Sequence, residues 1–304
     1  MGSKIFVIGS SNTDMVVKGT KIPPPGETVI GGEFLMNSGG KGANQAVAAA
    51  KLGAEVVFVC KVGNDLFGEK AITDYRNYKI CTDFIKTDEN HASGIALIMV
   101  DEQGRNCISV ASGANAYLKA EDLIDVFSEM SVGDFLLLQL EIPLETVYFC
   151  IEESAKKGVK VILNPAPATE IDISLLNKIY LFTPNQYEAE AISGIAYAGM
   201  ESLLEIVTWF HTKGMERIMI TLGEKGVFFS DSIQKKLFPA PRVVAKDTTA
   251  AGDVFNGALV VALSRNNSME EAIRFACRAA AISVTKFGAQ SSAPSLEEIE
   301  NFIF

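Results

Sequence analysis

The 304-residue chain has no cysteine pair at CxxC spacing. Its five cysteines, Cys60, Cys81, Cys107, Cys150 and Cys277, are scattered and odd in number. That pattern predicts neither a disulfide nor a zinc site and fits a reducing compartment, so the expected location is cytoplasmic. No apolar run reaches the roughly 20 residues of a membrane-spanning helix. The stretch Met1-Gly-Ser-Lys-Ile-Phe-Val-Ile-Gly9 lacks the apolar core of a signal peptide. There is no Lys/Arg run, and the formal net charge is −10, which argues against a general binder of nucleic acid or anionic membrane. A polyanionic ligand would have to be met locally, by backbone N–H groups and a metal ion. Internal repeats and low-complexity tracts are missing as well. With 48% hydrophobic and 21% charged residues, the chain is ordinary globular protein, long enough for a sizeable core in one large α/β domain or two smaller ones.

The glycine-rich run Asn37-Ser-Gly39-Gly40-Lys41-Gly42-Ala43-Asn44-Gln45 is also defined by what it lacks. A P-loop needs glycine at Leu35 and Ser/Thr at Gly42, and a dinucleotide fingerprint needs glycine at Gln45. The run is expected to be a turn feeding a helix over Ala46 to Leu52. Two readings are open: a tight structural connection, or N–H groups and Asn44 that hold a neutral polyol.

The chain is organised around Asp247-Thr-Thr-Ala-Ala-Gly-Asp253-Val-Phe-Asn-Gly-Ala-Leu259. Ala250, Ala251 and Gly252 leave room for ligand oxygens to approach the N–H groups of a helix starting near Gly252, so an anion site is predicted. Asp253 at its rim suits a group that accepts a proton from an attacking hydroxyl. It equally suits a residue that favours the helix start electrostatically.

Around this stretch, short apolar runs alternate with helical patterns, predicting βαβ units and a parallel sheet. Strands are expected at Lys4–Ile8, Val56–Cys60, Phe84–Lys86, Phe135–Leu138, Val159–Leu163, Tyr180–Phe182, Arg217–Thr221 and Val227–Ser230, with helices at 251–264 and Met269–Thr285. Several strands deliver polar residues at their carboxyl ends, where open α/β sheets gather ligands. Asn12 and Asp14 follow the first and face one way if extended; an Asx-turn accounts for them too. Glu141 follows another, as a hydroxyl acceptor or a helix-start residue before Pro143. Asn185 and Glu188 stand at i, i+3, either positioning metal-bound water or forming a helix capping box. A hairpin over 95–110 and the segment 15–36 predict a small separate sheet able to act as a lid.

Eight motifs in order resemble the PfkB carbohydrate kinase family, within it the kinases of ribose. They are Ser11-Asn-Thr-Asp14, Pro25-Gly-Glu-Thr28, Gly39-Gly-Lys-Gly-Ala-Asn-Gln-Ala46, Asn164-Pro-Ala-Pro-Ala168, Thr183-Pro-Asn185, Thr221-Leu-Gly223, Asp247-Thr-Thr-Ala-Ala-Gly-Asp253 and Gly288-Ala-Gln290. The resemblance spans nearly the whole chain. It implies a single three-layer α/β/α domain over 1–304 with a β-sheet lid from about 15–36 and 94–110, which often pairs between subunits as a homodimer. It also implies transfer of the ATP γ-phosphate to the 5-hydroxyl of D-ribose. By position, Asn12, Thr13, Asp14, Gly40, Lys41, Gly42, Ala43, Asn44 and Glu141 would hold the sugar. Asn185, Thr221, Leu222, Gly223, Glu224, Lys225 and Gly226 would approach the nucleotide, with Cys277 near its base, and Glu188 would act on Mg²⁺ through water. Ala250, Ala251 and Gly252 would form the anion hole and Asp253 the base. Asp247, Thr249, Ser283, Lys286, Gly288 and Ser292 match the family's K⁺ site, several through carbonyls.

Two positions depart from the pattern: Gln186 where many members have glutamate, and Cys277 where His or Asn is expected. The competing expectations are a sibling kinase for deoxyribose, fructose or a nucleoside, and a sugar sensor without catalysis. The retained Asp253 and its cradle count against the sensor.

Overall fold

The computed structural model describes residues 3–303. In chain order the elements are β1 (Ile5–Ile8), β2 (Asn12–Lys18), β3 (Glu33–Gly39), α1 (Lys41–Lys51), β4 (Val56–Val59), β5 (Lys61–Gly63), α2 (Leu66–Asn77) and β6 (Lys86–Asp88). The hairpin β7 (Gly94–Val100) and β8 (Asn106–Ala111) follows, then α3 (Ile124–Glu129), β9 (Phe135–Leu138), α4 (Leu144–Lys157), β10 (Lys160–Leu163), β11 (Leu181–Phe182), α5 (Gln186–Ser193) and α6 (Met200–Thr212). The chain closes with β12 (Ile218–Thr221), β13 (Val227–Ser230), β14 (Lys235–Phe238), α7 (Ala251–Ser264), α8 (Met269–Ser283) and α9 (Leu296–Asn301).

Eight strands form one sheet in the order β14-β13-β12-β11-β10-β9-β1-β4. From β12 to β4 the neighbours are parallel, and β13 and β14 each reverse direction. Successive strand side chains leave opposite faces, and here both directions lead into apolar packing. Ile5, Val7, Leu137 and Met219 join a core with α1, α7 and α8, whereas Phe6, Ile8, Leu136 and Ile220 join a second core with α4 and α6. A sheet buried on both faces needs near-continuous apolar strands, and Ile5–Ile8 and Phe135–Leu138 are such runs. The result is the expected three-layer α/β/α arrangement.

A second, four-stranded sheet has the order β3-β2-β7-β8. One of its faces carries Val17, Phe34, Met36, Leu97 and Met99, all large, apolar and exposed.

Two expectations are corrected, and one strand is additional. Helix α1 begins at Lys41, not Ala46, because Gly40 at φ 87° makes the turn and the following residues are already helical. Gly42 sits inside the helix, where a Cβ would lie 2.6 Å from the backbone nitrogen of Ser10, so its poor helix propensity is outweighed by close approach to the loop after β1. The strand expected at Phe84–Lys86 is β6, two residues later, and it pairs parallel with β5 outside the main sheet. Strand β14 was not expected; its Lys235-Lys-Leu-Phe238 is an edge, with only Phe238 buried. Elsewhere small residues set the spacing: a Cβ on Gly257 of α7 would lie 2.7 Å from both the Ala48 Cβ and the Gln45 carbonyl of α1.

Candidate active site

Because the central strands are parallel, their carboxyl ends open at one edge of the sheet, and α1 and α7 both start there. Lys41, Asp14, Glu141, Glu188 and Asp253 come together at this edge and sense one another's charge. Glu141 follows β9 and accepts from the Ser10 hydroxyl at 2.6 Å and from the Lys41 backbone N–H at 3.0 Å. It therefore occupies the N-terminus of α1, where a negative charge is favoured. Burial disfavours the Lys41 ammonium, but Asp253, Glu141, Glu188 and Asp14 outweigh it and hold its pKa above the usual value.

Asp14 on β2 is pushed up to about 7, first by burial and then by the charges of Glu141 and Asp253, with Lys41 opposing. Its carboxylate fills the space beside Gly39, where a Cβ would collide with both of its oxygens. Asn12, two residues before it, accepts from Asn115 Nδ2 at 2.8 Å, which leaves its own amide N–H groups free of that bond. Thr13 lies between them, so strand alternation turns it to the opposite side. There it lines a cavity of about 170 Å³ with Asn37, Ser38, Phe67 and Asp74. It is not brought into the carboxylate cluster.

Asp253 lies in the first turn of α7 and is 6% exposed. Its Oδ2 accepts from Asn44 Nδ2 and its Oδ1 from Gln45 Nε2, each at 2.9 Å. Burial raises its pKa, opposed by Lys41 and by these two amide bonds. The Oδ1 of Asn44 is buried without a partner among the described residues, an acceptor aimed into a polar site. Ala250 caps α7 in the left-handed region (φ 57°, ψ 13°), an unusual conformation for a residue with a Cβ. Ala251 begins the helix, and space around Gly252 is open: a Cβ there would meet nothing within 4 Å. The Ala251 N–H donates to the Thr248 carbonyl at 3.3 Å, and an accessible helix start of this kind suits an anion.

On the neighbouring strands, Asn185 and Glu188 make the capping box of α5. Asn185 Oδ1 accepts from the N–H groups of Tyr187 and Glu188, and Glu188 accepts from the backbone and side chain of Asn185, all within 2.8–2.9 Å. Burial raises the Glu188 pKa against the Asn185 backbone bond and Lys41. Asn185 also bridges to Thr221 at the end of β12. Leu222 is buried, and Gly223, Glu224 and Lys225 form an exposed single turn, with Lys225 over the ring of Tyr197. Gly226 has φ 98°, and a Cβ on it would lie 2.0 Å from the Phe238 carbonyl; closeness to β14 by itself requires glycine there. Cys277 on α8 is in the core, its thiol pushed up to about 12 by burial.

The loop 285–292 folds back on Asp247. The Asp247 carboxylate accepts from the N–H groups of Thr249 and Gly288, each at 2.9 Å. Burial opposes these bonds, yet its pKa lies below the usual value. Ser283 and Ser292 donate their hydroxyls to the Ala280 and Ala289 carbonyls. The Lys286 ammonium is committed to Glu298, so Lys286 can offer a cation its carbonyl only.

The residues the sequence did not assign are amides: Gln45, Gln139, Asn164 and Asn256, all buried. A polar residue inside a run of small or apolar ones, such as Asn256 between Phe255 and Gly257, was the available signal.

A buried carboxylate near an open helix start, beside a buried amide oxygen without a partner among the described residues, suits phosphoryl transfer to a hydroxyl. The family described as pfkB family carbohydrate kinase matches residues 3–296. The chain is 44% identical over 303 residues to a ribokinase of Haemophilus influenzae, covering 100% of this chain and 99% of the relative. It is 38% identical over 300 residues to a deoxyribokinase of Salmonella typhi, covering 98% of each. The solved structure of Arabidopsis thaliana ribokinase complexed with ribose and ATP superposes with a TM-score of 0.90 at 30% identity, over 99% of this chain and 98% of that one. The chain belongs to the PfkB family of carbohydrate kinases.

Proposed function

We propose that the chain is a ribokinase that transfers the γ-phosphate of Mg-ATP to the 5-hydroxyl of D-ribose. The observation that carries this is Asp253, held by two amides at the foot of the open α7 cradle. The sugar oxygen bonds to the γ-phosphorus as its proton passes to Asp253, and the bond from phosphorus to the ADP oxygen breaks. An alcohol is too weak an acid to lose its proton beforehand, so Asp253 accepts it late, and most of the rate comes from positioning and charge stabilisation. The N–H groups at Ala250, Ala251 and Gly252 take up the charge on the transferring group.

Asn12, Asp14, Gly40, Lys41, Gly42, Ala43, Asn44 and Glu141 surround the sugar in this reading; the unpartnered Asn44 Oδ1 fits a hydroxyl donor. Thr221–Gly226 face the nucleotide, with Cys277 proposed near its base. Glu188 keeps acceptor capacity beyond its two bonds from Asn185, and would orient water on Mg²⁺, which supplies charge neutralisation to the phosphates. The Gly288 N–H draws the 285–292 loop against Asp247, where the carboxylate and loop carbonyls would offer the oxygen donors that hard monovalent cations take, with K⁺ proposed as the activator. Five unpaired thiols support a cytoplasmic location.

The small sheet is proposed as a lid that excludes water. Its exposed apolar face supports a homodimer in which two lids cover one another. Replacing Phe34 and Leu97 together by lysine is expected to give a monomer in sedimentation velocity; a parent chain that already sediments as a monomer would remove the dimer.

ADP release should be measured from Mg-ATP with D-ribose, 2-deoxyribose, fructose and adenosine in turn, with and without K⁺. Fast turnover on ribose that rises with K⁺ is expected. Preference for 2-deoxyribose would move the assignment to the deoxyribokinase side of the relatives, and no turnover on any acceptor would leave a sugar sensor.

A further inference from the structure

Behind Asp253 lies a continuous chain of buried polar side chains. Gln139 Nε2 donates to Gln45 Oε1 at 2.6 Å, and Gln45 Nε2 donates to Asp253 Oδ1 at 2.9 Å and to Asn164 Oδ1 at 3.1 Å. Asn164 Nδ2 then donates to the Thr183 carbonyl at 3.0 Å. The Thr183 hydroxyl donates to Asn256 Oδ1 at 2.7 Å, and Asn256 Nδ2 donates to the Gly252 carbonyl at 2.9 Å. Gln45 and Gln139 are 0% exposed.

Donor and acceptor counting fixes the direction of this chain. The Gln45 amide nitrogen has two hydrogens and meets two acceptors, one of them a carboxylate, while its oxygen meets a donor. Rotating the amide by half a turn would set its oxygen against both acceptors. Buried mismatches of that kind are costly, so the Gln45 nitrogen is locked towards Asp253. Through Asn164, Thr183 and Asn256 the same chain reaches the backbone of Gly252, so base and cradle are tied to one frame. Asn44, the other donor to Asp253, keeps its Oδ1 without a partner among the described residues, whereas both ends of the Gln45 amide are engaged and Gln45 is 0% exposed.

We propose that Gln45 is a positioning residue: oriented by Gln139 and Asn164, it holds the Asp253 carboxylate in the rotamer that presents an oxygen to the acceptor hydroxyl. The proposal rests on Asp253 being the base. Asp253 also faces the charges of Lys41 on α1, Glu141 after β9, Asp14 on β2 and Glu188 on α5, none of which is altered by changing Gln45.

Gln45→Met keeps length and volume and removes the donor. Loss of a hydrogen bond to a charged group predicts a fall in kcat of about 10- to 100-fold, with the sugar KM within about threefold of the parent. Because the lost bond favoured the ionised form, the acid limb of the kcat profile should move to higher pH. A ¹³C NMR titration of Asp253 in aspartate-labelled protein, assigned with Asp253→Asn, should show the same upward move without substrate. Gln139→Met, which takes the donor from Gln45 Oε1 and so weakens its orientation, should act in the same direction with a smaller effect and serves if Gln45→Met does not fold.

Kinetics are run with whichever sugar the parent phosphorylates, so a wrong sugar assignment leaves the test intact. A parent with no turnover would sink the kinase reading and this proposal with it. An active parent whose variants keep kcat, acid limb and Asp253 titration unchanged would overturn the positioning role alone.

Discussion

Asp253→Asn is expected to lower kcat by about 10²–10⁴-fold at saturating sugar and ATP, with little change in either KM. Asparagine matches aspartate in size, so the cradle at Ala250, Ala251 and Gly252 keeps its shape and the substrates still bind. What disappears is the carboxylate that Asn44 and Gln45 jointly hold at the start of α7. The residual rate comes from positioning and from the N–H groups of the cradle, which the substitution leaves in place. If Asp253 merely favoured the helix start, the change would instead cost about 0.3–1 kcal/mol of stability and almost no turnover. The two roles therefore separate cleanly in one experiment: steady-state kcat measured beside a urea unfolding curve. Retention of more than about a tenth of parental kcat would exclude Asp253 as the base, since it lies below the range general base catalysis contributes. A second consequence follows from the new amide, which offers one acceptor and one donor to two facing donors. One of the amides of Asn44 and Gln45 then loses its partner, and this buried mismatch offsets the gain from removing a buried charge. Stability is thus expected to change far less than activity.

How far such a site can be read from sequence depends on whether its signal is local. Ile5–Ile8 and Phe135–Leu138 were legible because a strand buried on both faces needs an unbroken apolar run, and both form as expected. The bounds of α7 were legible because the small residues of Thr249-Ala-Ala-Gly252 mark a helix entry with room around it, and the helix does span Ala251–Ser264. Asn185 and Glu188 show the limit of local reading. Their spacing had two explanations, and the structure makes the capping box without excluding a role towards metal-bound water, because a carboxylate has capacity for both. The start of α1 was misread because glycines at Gly40 and Gly42 signal a turn, while the reason for Gly42 is a contact with Ser10, 32 residues away. The amide chain was illegible for the same reason, more strongly. Gln45 lies 94 residues from Gln139, 119 from Asn164 and 208 from Asp253. Glutamine in a helix is common and says nothing of its partners until the sheet has brought β9, β10 and α7 together.

Asp14→Asn is expected to make the free protein more stable at pH 8 while lowering kcat/KM for the sugar by about 10²–10⁴-fold, the loss of two charge-assisted bonds to hydroxyls. Burial, then Glu141 and Asp253, push the Asp14 carboxyl up to about 7, against about 3.9 in an unfolded chain. Between those values the folded protein keeps a proton that the unfolded chain has released. Stability therefore falls as pH rises from about 4 to about 7 and stays lowered above that. The interval corresponds to a few kcal/mol at most. Asparagine has no such proton, so the difference in Tm between variant and parent should widen across this range and then become flat. Sugar binding runs the other way. Hydroxyl groups donate to the ionised carboxylate, so kcat/KM for the parent should climb towards pH 7 and level off beyond it. Bound sugar should in turn lower the Asp14 pKa, which narrows the stability loss in the complex. A Tm difference that ignores pH would show that burial does not hold the Asp14 proton. A kcat/KM profile flat between about pH 6 and pH 8 would show that the sugar does not depend on the Asp14 charge. If both dependences are found, Asp14 is a carboxylate whose burial beside Glu141 and Asp253 destabilises the empty enzyme, and the sugar hydroxyls are the partners that relieve it.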